Sequence, residues 1–176
     1  MIKTVLVPID GSSHANKALD LAADIAQKYS AKLILLHILL RDTPIDDVIV
    51  LCNELGAPDS IMKKLENIVD TVYATAASSP YGGTIFIPIP EDTLRDIGKL
   101  ITEKARKDLT GKKLKDFSVQ IVDAKPADCI IKAAEEEKAD MIVMGSRGLG
   151  RLSGLLMGSV SYKVNHLASC TCVTVK

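Results

Sequence analysis

Short apolar runs recur along the chain and predict five β-strands, at Thr4–Ile9, Lys32–Ile38, Phe117–Val122, Met141–Met144 and Cys172–Val175. The second run, KLILLHI, is apolar at almost every position instead of alternating with polar residues. An unbroken apolar run of this length is typical of a parallel strand that is covered on both faces. The pattern therefore predicts a sheet buried between two layers.

Amphipathic stretches with helical spacing lie between these runs. Alanines and leucines recur at this spacing from His14 to Tyr29, and a second such pattern begins at Leu94 and ends near Gly111. Pro126 suits the first turn of a third helix, and Ser159–Leu167 forms the last one. Strands that alternate with helices predict an α/β fold with a doubly wound, Rossmann-like sheet. A ligand site is expected at the carboxyl ends of its strands.

An insert of about residues 41–90 interrupts this alternation after the second strand. Apolar residues between Ile61 and Val72 follow a helical period, and Asp46–Leu55 predicts a shorter helix. A turn at 78–83 follows, and the two prolines of Thr84–Pro90 favour an edge strand or an irregular segment. Two interpretations remain open: a helix pair that closes over the core, or a lid or partner-binding surface.

Composition narrows the class of protein. The 176 residues are expected to form one domain, and 22 basic residues balance 22 acidic ones. A balanced charge argues against a broad surface for nucleic acid or membrane. The first residues run directly into a strand without the layout of a signal peptide, so a cytoplasmic location is expected. The four cysteines form no C-x-x-C pair, which favours buried, reduced thiols over a metal or redox pair.

Glycine is concentrated near the C-terminus, where five of the chain's eleven glycines lie between Gly145 and Gly158. This stretch follows a predicted strand and precedes a predicted helix. Glycines let the backbone approach an anion, and a helix N-terminus adds unpaired N–H groups and a favourable dipole. The arrangement therefore predicts a phosphate-binding loop.

Two common phosphate-binding motifs do not fit this loop. A Walker A motif requires a lysine directly after its second glycine, and none is present. The dinucleotide motif G-x-G-x-x-G fails because Ser153 stands where the third glycine is needed after Gly148 and Gly150. The spacing that does fit is G-x2-G-x9-G-S, in which the last two residues are Gly158 and Ser159.

This spacing resembles the ATP-binding signature of the universal stress protein family. The resemblance extends to separate stretches that together cover nearly all of the chain except the insert. These stretches are Val5–Ser12, Leu35–Ile38, Lys125–Asp128, Asp140–Ser146, Gly148–Gly150 and Gly158–Ser161. Membership implies a five-stranded parallel sheet in the order 3-2-1-4-5, a homodimer formed through the C-terminal strand, and ATP bound across the strand ends, alone or together with Mg²⁺ or Mn²⁺.

The resemblance also implies roles for particular residues. Asp10 would hold the ribose or adenine side of the nucleotide, with Pro8 beside it, and Ile38 would contact adenine. Met144 and Gly145 would line the start of the phosphate loop. The remaining implied site residues approach or bind the phosphates: Gly148, Gly158, Ser159 and Val160.

Independent reasoning from the residues leaves some of these roles open. Asp10 stands at a strand end, where its carboxylate could accept from a ribose hydroxyl, but it could equally cap the first helix. Ser159 is a candidate cap as well. Arg147 and Arg151 flank the glycines and could pair with phosphates or lie solvated at the surface. His37 lies within a strand and is expected to be a hydrogen-bonded core residue.

Two departures from the family pattern concern Ala124, where relatives often have glycine, and Cys170–Val175, which lacks the proline that often opens the last strand. The favoured function is that of an ATP-binding regulatory or stress-response protein. The alternative is a nucleotide-independent interaction module that recruits a partner through the apolar segment Ile85–Pro90. No catalytic base is recognisable in the sequence, so at most slow ATP hydrolysis, with Mg²⁺ or Mn²⁺, is expected.

Overall fold

The computed structural model describes residues 1–78, 88–150 and 157–176. Its sheet has five parallel strands in the order β3-β2-β1-β4-β5, which confirms the predicted fold class and strand order. The strands are β1 Thr4–Pro8, β2 Lys32–Ile38, β3 Phe117–Val122, β4 Met141–Gly145 and β5 Thr171–Val175. Their bounds differ from the predicted ones by at most one residue at an end.

Six helices are present among the described residues: α1 Ser13–Tyr29, α2 Ile45–Glu54, α3 Asp59–Ser78, α4 Glu91–Gly111, α5 Pro126–Glu136 and α6 Ser159–Leu167. Helices α1 to α4 contribute to the hydrophobic cluster on one face of the sheet, and α5 and α6 to the cluster on the other face. No helix in the described part of the chain is both long and apolar enough to cross a bilayer. The cytoplasmic location stays a prediction.

Alternate residues of the central strands enter opposite cores. Val5 and Val7 of β1 pack in the cluster with α1 and α4, whereas Leu6 between them packs in the cluster with α5. All three side chains have no exposed surface. Because successive strand residues point to opposite faces, a strand buried on both faces must be apolar at every position. This is the physical reason for the unbroken apolar runs in the sequence.

The insert contributes to the core through its two helices. Val48 and Leu51 of α2 and Ile61 and Leu65 of α3 are buried in the same cluster as α4. This packing agrees with the interpretation of a helix pair that closes over the core. The predicted turn at 78–83 and the apolar segment 84–90 fall mainly at 79–87, outside the described residues.

The structure decides two helix-cap assignments that the sequence left open. The cap of α1 is Ser12, whose side chain accepts from the N–H of Ala15 at 3.3 Å, so Asp10 does not cap this helix. The cap of α6 is Gly158, and Ser159 is the first helical residue. Neither Asp10 nor Ser159 therefore serves as a helix cap, and both lie at the carboxyl edge of the sheet.

The cysteines are all free thiols, but only Cys52 is fully buried. Cys129, Cys170 and Cys172 are half-buried, so the expectation of buried thiols is right for one residue of the four. Burial raises the pKa of the Cys52 thiol to about 11. This thiol is therefore protonated at neutral pH and behaves as a small apolar side chain.

His37 of β2 is the buried histidine that the sequence predicts. Its Nδ1 lies 2.9 Å from the carbonyl oxygen of Ile9 and must donate, since a carbonyl only accepts. Its Nε2 is buried and has no hydrogen-bond partner in the described part of the chain, and Gly98 of α4 packs directly against the ring. Burial lowers the pKa of His37 below its usual range, although the Ile9 carbonyl and the charge of Asp10 act in the opposite direction.

We expect the free energy of unfolding to fall as the pH decreases from about 7.5 to about 5.5. The unfolded chain takes up a proton on His37 near its ordinary pKa of 6.5, whereas the folded protein resists doing so. The unfolded state therefore binds more protons in this range, and the slope reaches at most about 1.4 kcal/mol per pH unit. Urea denaturation at several pH values measures this slope.

His37→Asn retains a side-chain N–H near the position of Nδ1 but cannot titrate, and it should show a smaller slope than the wild type. His166→Asn, at an exposed position on α6, serves as the matched control and should keep the wild-type slope. Equal slopes in the wild type and in His37→Asn would contradict the assignment.

Candidate functional site

A cavity of about 590 Å³ opens at the carboxyl ends of β1, β2 and β4, beside the first turns of α5 and α6. Eight of the nine site residues expected from the sequence line it: Pro8, Asp10, Ile38, Met144, Gly145, Gly148, Ser159 and Val160. The ninth, Gly158, does not line the cavity and caps α6 directly before Ser159. The fold thus brings residues from both halves of the chain to one place.

Asp10 projects from the turn that follows β1. One carboxylate oxygen, Oδ1, accepts from the N–H of Ser12 at 2.9 Å, which fixes the side chain against its own backbone. The next residue, Gly11, has a φ of +86°, a conformation that favours glycine. The other oxygen, Oδ2, lies so close to Gly148 that a Cβ on this glycine would overlap it. The carboxylate is therefore held in the cavity by a turn on one side and the glycine loop on the other.

Gly145 and Gly158 lack side chains for different reasons. A Cβ on Gly145 would lie 2.9 Å from backbone atoms of His14 and Ala15, so this glycine lets β4 approach α1. Among the described residues, a Cβ on Gly158 would meet its nearest atom at 3.5 Å, which is an ordinary contact, and the φ of −76° suits any residue. Packing within the described part of the chain requires glycine at the first position but not at the second.

The glycine loop is fastened to α6 through one carbonyl group. The carbonyl oxygen of Ser146 accepts from the N–H of Gly158 and from Oγ of Ser161, both at 2.7 Å. The N–H of Ser146 donates to Val175 of β5, also at 2.7 Å. These bonds hold the N-terminus of α6 at the cavity, where the first N–H groups of a helix have no partner within it. An anion is favoured at such a position.

The opposite wall of the cavity was not predicted. It consists of the segment that follows β2, with Leu39 and Leu40, and of the first turn of α5, with Ala127 and Ile130. These apolar side chains stand with Ile38 and Met144, which the sequence did indicate. Which strand end lies beside which helix depends on the strand order of the sheet. Spacing within the sequence does not specify that order, so it did not indicate this wall.

Two of the cations that line the cavity, Arg41 and Lys163, are held in ion pairs. Nε of Arg41 donates to Asp123 at 2.5 Å, and the same guanidinium donates to Glu91 at 3.1 Å. Nζ of Lys163 on α6 donates to Asp128 on α5 at 2.6 Å. The Arg41 guanidinium lowers the pKa of Asp123, and the Lys163 ammonium lowers that of Asp128. Both carboxylates therefore stay ionised at neutral pH and already hold the cations next to them.

Two further cations line the cavity without an ion-pair partner in the described part of the chain: Lys125, before α5, and Arg147, in the glycine loop. Nε of Arg147 is buried and has no hydrogen-bond acceptor among the described residues. Arg151, the other arginine considered from the sequence, lies outside them. The described lining of the cavity thus combines apolar side chains, a fixed carboxylate, a helix N-terminus and a guanidinium that has no ion pair among the described residues.

Comparison with known proteins identifies a family. The model of the universal stress protein family matches residues 1–46 and 71–176. A universal stress protein of Thermus aquaticus, encoded in the 3′ region of a QAH/OAS sulfhydrylase gene, is 31% identical over 179 residues, covering 100% of both chains. Residues 47–70, which include most of α2 and part of α3, are outside the family match.

Solved structures show the same fold. UspA from Lactobacillus plantarum aligns with a TM-score of 0.62 at 19% identity, covering 100% of this chain and 99% of that one. A universal stress protein in complex with cAMP aligns at 0.59 and 22% identity, covering 99% and 97%. One from Archaeoglobus fulgidus in complex with dAMP aligns at 0.58 and 17% identity, covering 100% and 98%.

We expect Gly145→Ala and Gly158→Ala to differ in stability although both replace a loop glycine. The methyl group at position 145 would press on the backbone of α1, and overpacking of this kind costs about 1–3 kcal/mol. The methyl group at position 158 has room, so the cost should stay below about 1 kcal/mol. Thermal or urea unfolding of the two variants beside the wild type, without added ligand, tests the difference. Equal losses would contradict the packing argument.

Proposed function

Because the chain belongs to the universal stress protein family, we propose that it is a nucleotide-dependent regulatory protein that binds ATP in the cavity at the strand ends. One observation carries the proposal most directly. At Gly158 a side chain would fit among the described residues, yet glycine stands there, next to the N-terminus of a helix that borders the cavity. A glycine that packing does not require is explained by a ligand that approaches the backbone.

The cavity walls suggest how the nucleotide lies. The base packs between Ile38 and the first turn of α5, where the apolar side chains are concentrated. The ribose hydroxyls donate to Asp10, whose carboxylate is fixed by Ser12. The phosphates meet the N–H groups at 158–160 and the Ser159 hydroxyl. Complexes of similar proteins with cAMP and dAMP support an adenine nucleotide in this fold.

Mg²⁺ or Mn²⁺ would accompany the phosphates as part of the ligand. Within the described residues, no group of three or more His, Cys, Asp or Glu side chains is arranged to hold a metal ion. The carboxylates that border the cavity, such as Asp128, could contribute at most single oxygen contacts. We therefore propose that the phosphates supply most of the metal's ligands.

We propose a regulatory role and not an enzymatic one, with ATP hydrolysis slow at most. Phosphoryl transfer needs a group that positions or deprotonates the attacking water. Asp128 is a weak base because its pKa is lowered by Lys163. Asp10 is engaged by Ser12 and is assigned to the ribose. Neither carboxylate therefore fits the part of a catalytic base.

The alternative function is a nucleotide-independent interaction module, and one observation favours it. Part of the insert lies outside the family match, and its helices expose Val50 and Tyr73, the latter at 71%. Exposed side chains of this kind could recruit a partner. Residues 85–87 of the apolar segment Ile85–Pro90, which the sequence suggested for this hypothesis, lie outside the described part of the structure, so the exposed helix positions support it here.

We also propose that the protein forms a homodimer through its C-terminal strand. β5 stands at one end of the sheet, with β4 as its only neighbour in the strand order, so one side of its backbone is available for pairing. Sedimentation velocity over a range of concentrations should show a dimer. Amides of Thr171–Val175 should become more protected from hydrogen exchange as the dimer forms. A monomer at every concentration would contradict this arrangement.

The main proposal predicts that Asp10→Ala weakens ATP binding by about 1–3 kcal/mol, the usual scale for a hydrogen bond to a charged group. Asp10→Asn should retain the turn, because its amide oxygen can still accept from Ser12, but it loses the charge. Its affinity for ATP should therefore lie between those of the wild type and Asp10→Ala. Calorimetric titration with ATP measures both. Gly111→Ala, at a position where a Cβ meets no atom within 4 Å, is the matched control and should bind as the wild type does.

A wild-type protein that shows no heat of binding at millimolar ATP, and carries no nucleotide when denatured and examined by mass spectrometry, would refute the proposed function. It would favour the interaction module instead. Binding that survives unchanged in Asp10→Ala would instead remove Asp10 from the site while leaving the cavity as the place of binding.

A further inference from the structure

Four cationic side chains of the described residues line the cavity, and they differ in what holds them. Arg41 is bound by Asp123 and Glu91, and Lys163 is bound by Asp128. Lys125 precedes α5, on the side of the apolar wall. Arg147 alone belongs to the described part of the glycine loop. We propose that Arg147 binds the phosphate tail beyond the first phosphate and makes the site prefer ATP over AMP, an inference that rests on the proposed function.

The position of Arg147 places it at the phosphate end. Its Cα would lie 3.7 Å from a Cβ built on Gly158, so the arginine backbone adjoins the cap of α6. The preceding carbonyl, that of Ser146, is bonded to Gly158 and Ser161. Arg147 is therefore held next to the helix N-terminus by the same bonds that fasten the loop.

The hydrogen bonding of Arg147 favours a ligand over a structural role. An arginine that stabilises the loop would be expected to donate to a carbonyl or carboxylate of the protein. Nε of Arg147 is instead buried and without an acceptor among the described residues, and the guanidinium has no ion pair there. A buried donor that lacks an acceptor costs free energy, and a phosphate oxygen would remove that cost.

A preference for ATP follows because the backbone N–H groups and the arginine side chain bind different phosphates. The N–H groups of α6 offer a short row of donors that one phosphate can occupy. A guanidinium beside them gains from the second and third phosphates, because these add charge and oxygen acceptors that AMP lacks. Removing the guanidinium should therefore weaken ATP much more than AMP.

The test compares ATP and AMP affinities by calorimetry in the wild type, Arg147→Met and Arg147→Lys. Arg147→Met should lose at least about tenfold in ATP affinity and less than about twofold in AMP affinity. Arg147→Lys keeps the charge but loses the planar guanidinium, so its ATP affinity should lie between those of the wild type and Arg147→Met. Lys132→Ala, on an exposed part of α5 that does not line the cavity, removes the same charge and should change neither affinity.

Stability without nucleotide provides the second measurement. Since Nε has no hydrogen-bond partner among the described residues, Arg147→Met should unfold at the same temperature as the wild type or at a higher one. A clear decrease would show a structural role and overturn the inference. An equal loss of ATP and AMP affinity, or none, would overturn it while leaving nucleotide binding intact. A wild type that binds neither nucleotide would refute the proposed function and this inference together.

Discussion

The close approach of the glycine loop to the first turn of the fold is the constraint on which the site depends. Gly145 lies against the backbone of His14 and Ala15, and Gly148 lies against the carboxylate of Asp10. Cβ atoms at these positions would force β4 away from α1 or push Asp10 out of place. Either change would shift the loop that bonds to α6 through Ser146, so the position of the helix N-terminus depends on two contacts that leave no room for a side chain.

Much of the fold follows from the sequence because burial on both faces leaves a simple signal. Residues 33–38 of β2 are all buried and are apolar except for His37, whose Nδ1 bonds to the carbonyl of Ile9, and the run KLILLHI reflects this. Helix caps were harder to predict. Asp10, Ser12 and Ser13 are all chemically suited to cap α1, and only the backbone geometry selects Ser12. The same ambiguity separates Gly158 from Ser159 at α6.

The site was predictable where local chemistry marks it and not where the topology assembles it. Glycines with fixed spacing, and an aspartate after the first strand, identify one side of the cavity. The other side brings together residues such as Leu40 and Ile130, which are distant in the sequence and ordinary in type. The pair of Arg41 and Asp123 spans 82 positions and joins two neighbouring strand ends. Such contacts are fixed by strand order, which spacing alone does not specify.

The insert packs against this site, although part of the insert lies outside the family match. A Cβ on Gly11, directly after Asp10, would lie 2.8 Å from a methyl carbon of Leu51 in α2. Residues 47–70, which contain Leu51, lie outside the match. A helix that lies mostly outside the family match thus packs against the turn that positions the proposed ribose ligand. Because close-packed interiors transmit small displacements, a displacement of α2 should also shift Asp10. The nucleotide-binding and partner-interaction hypotheses therefore need not concern separate parts of the molecule.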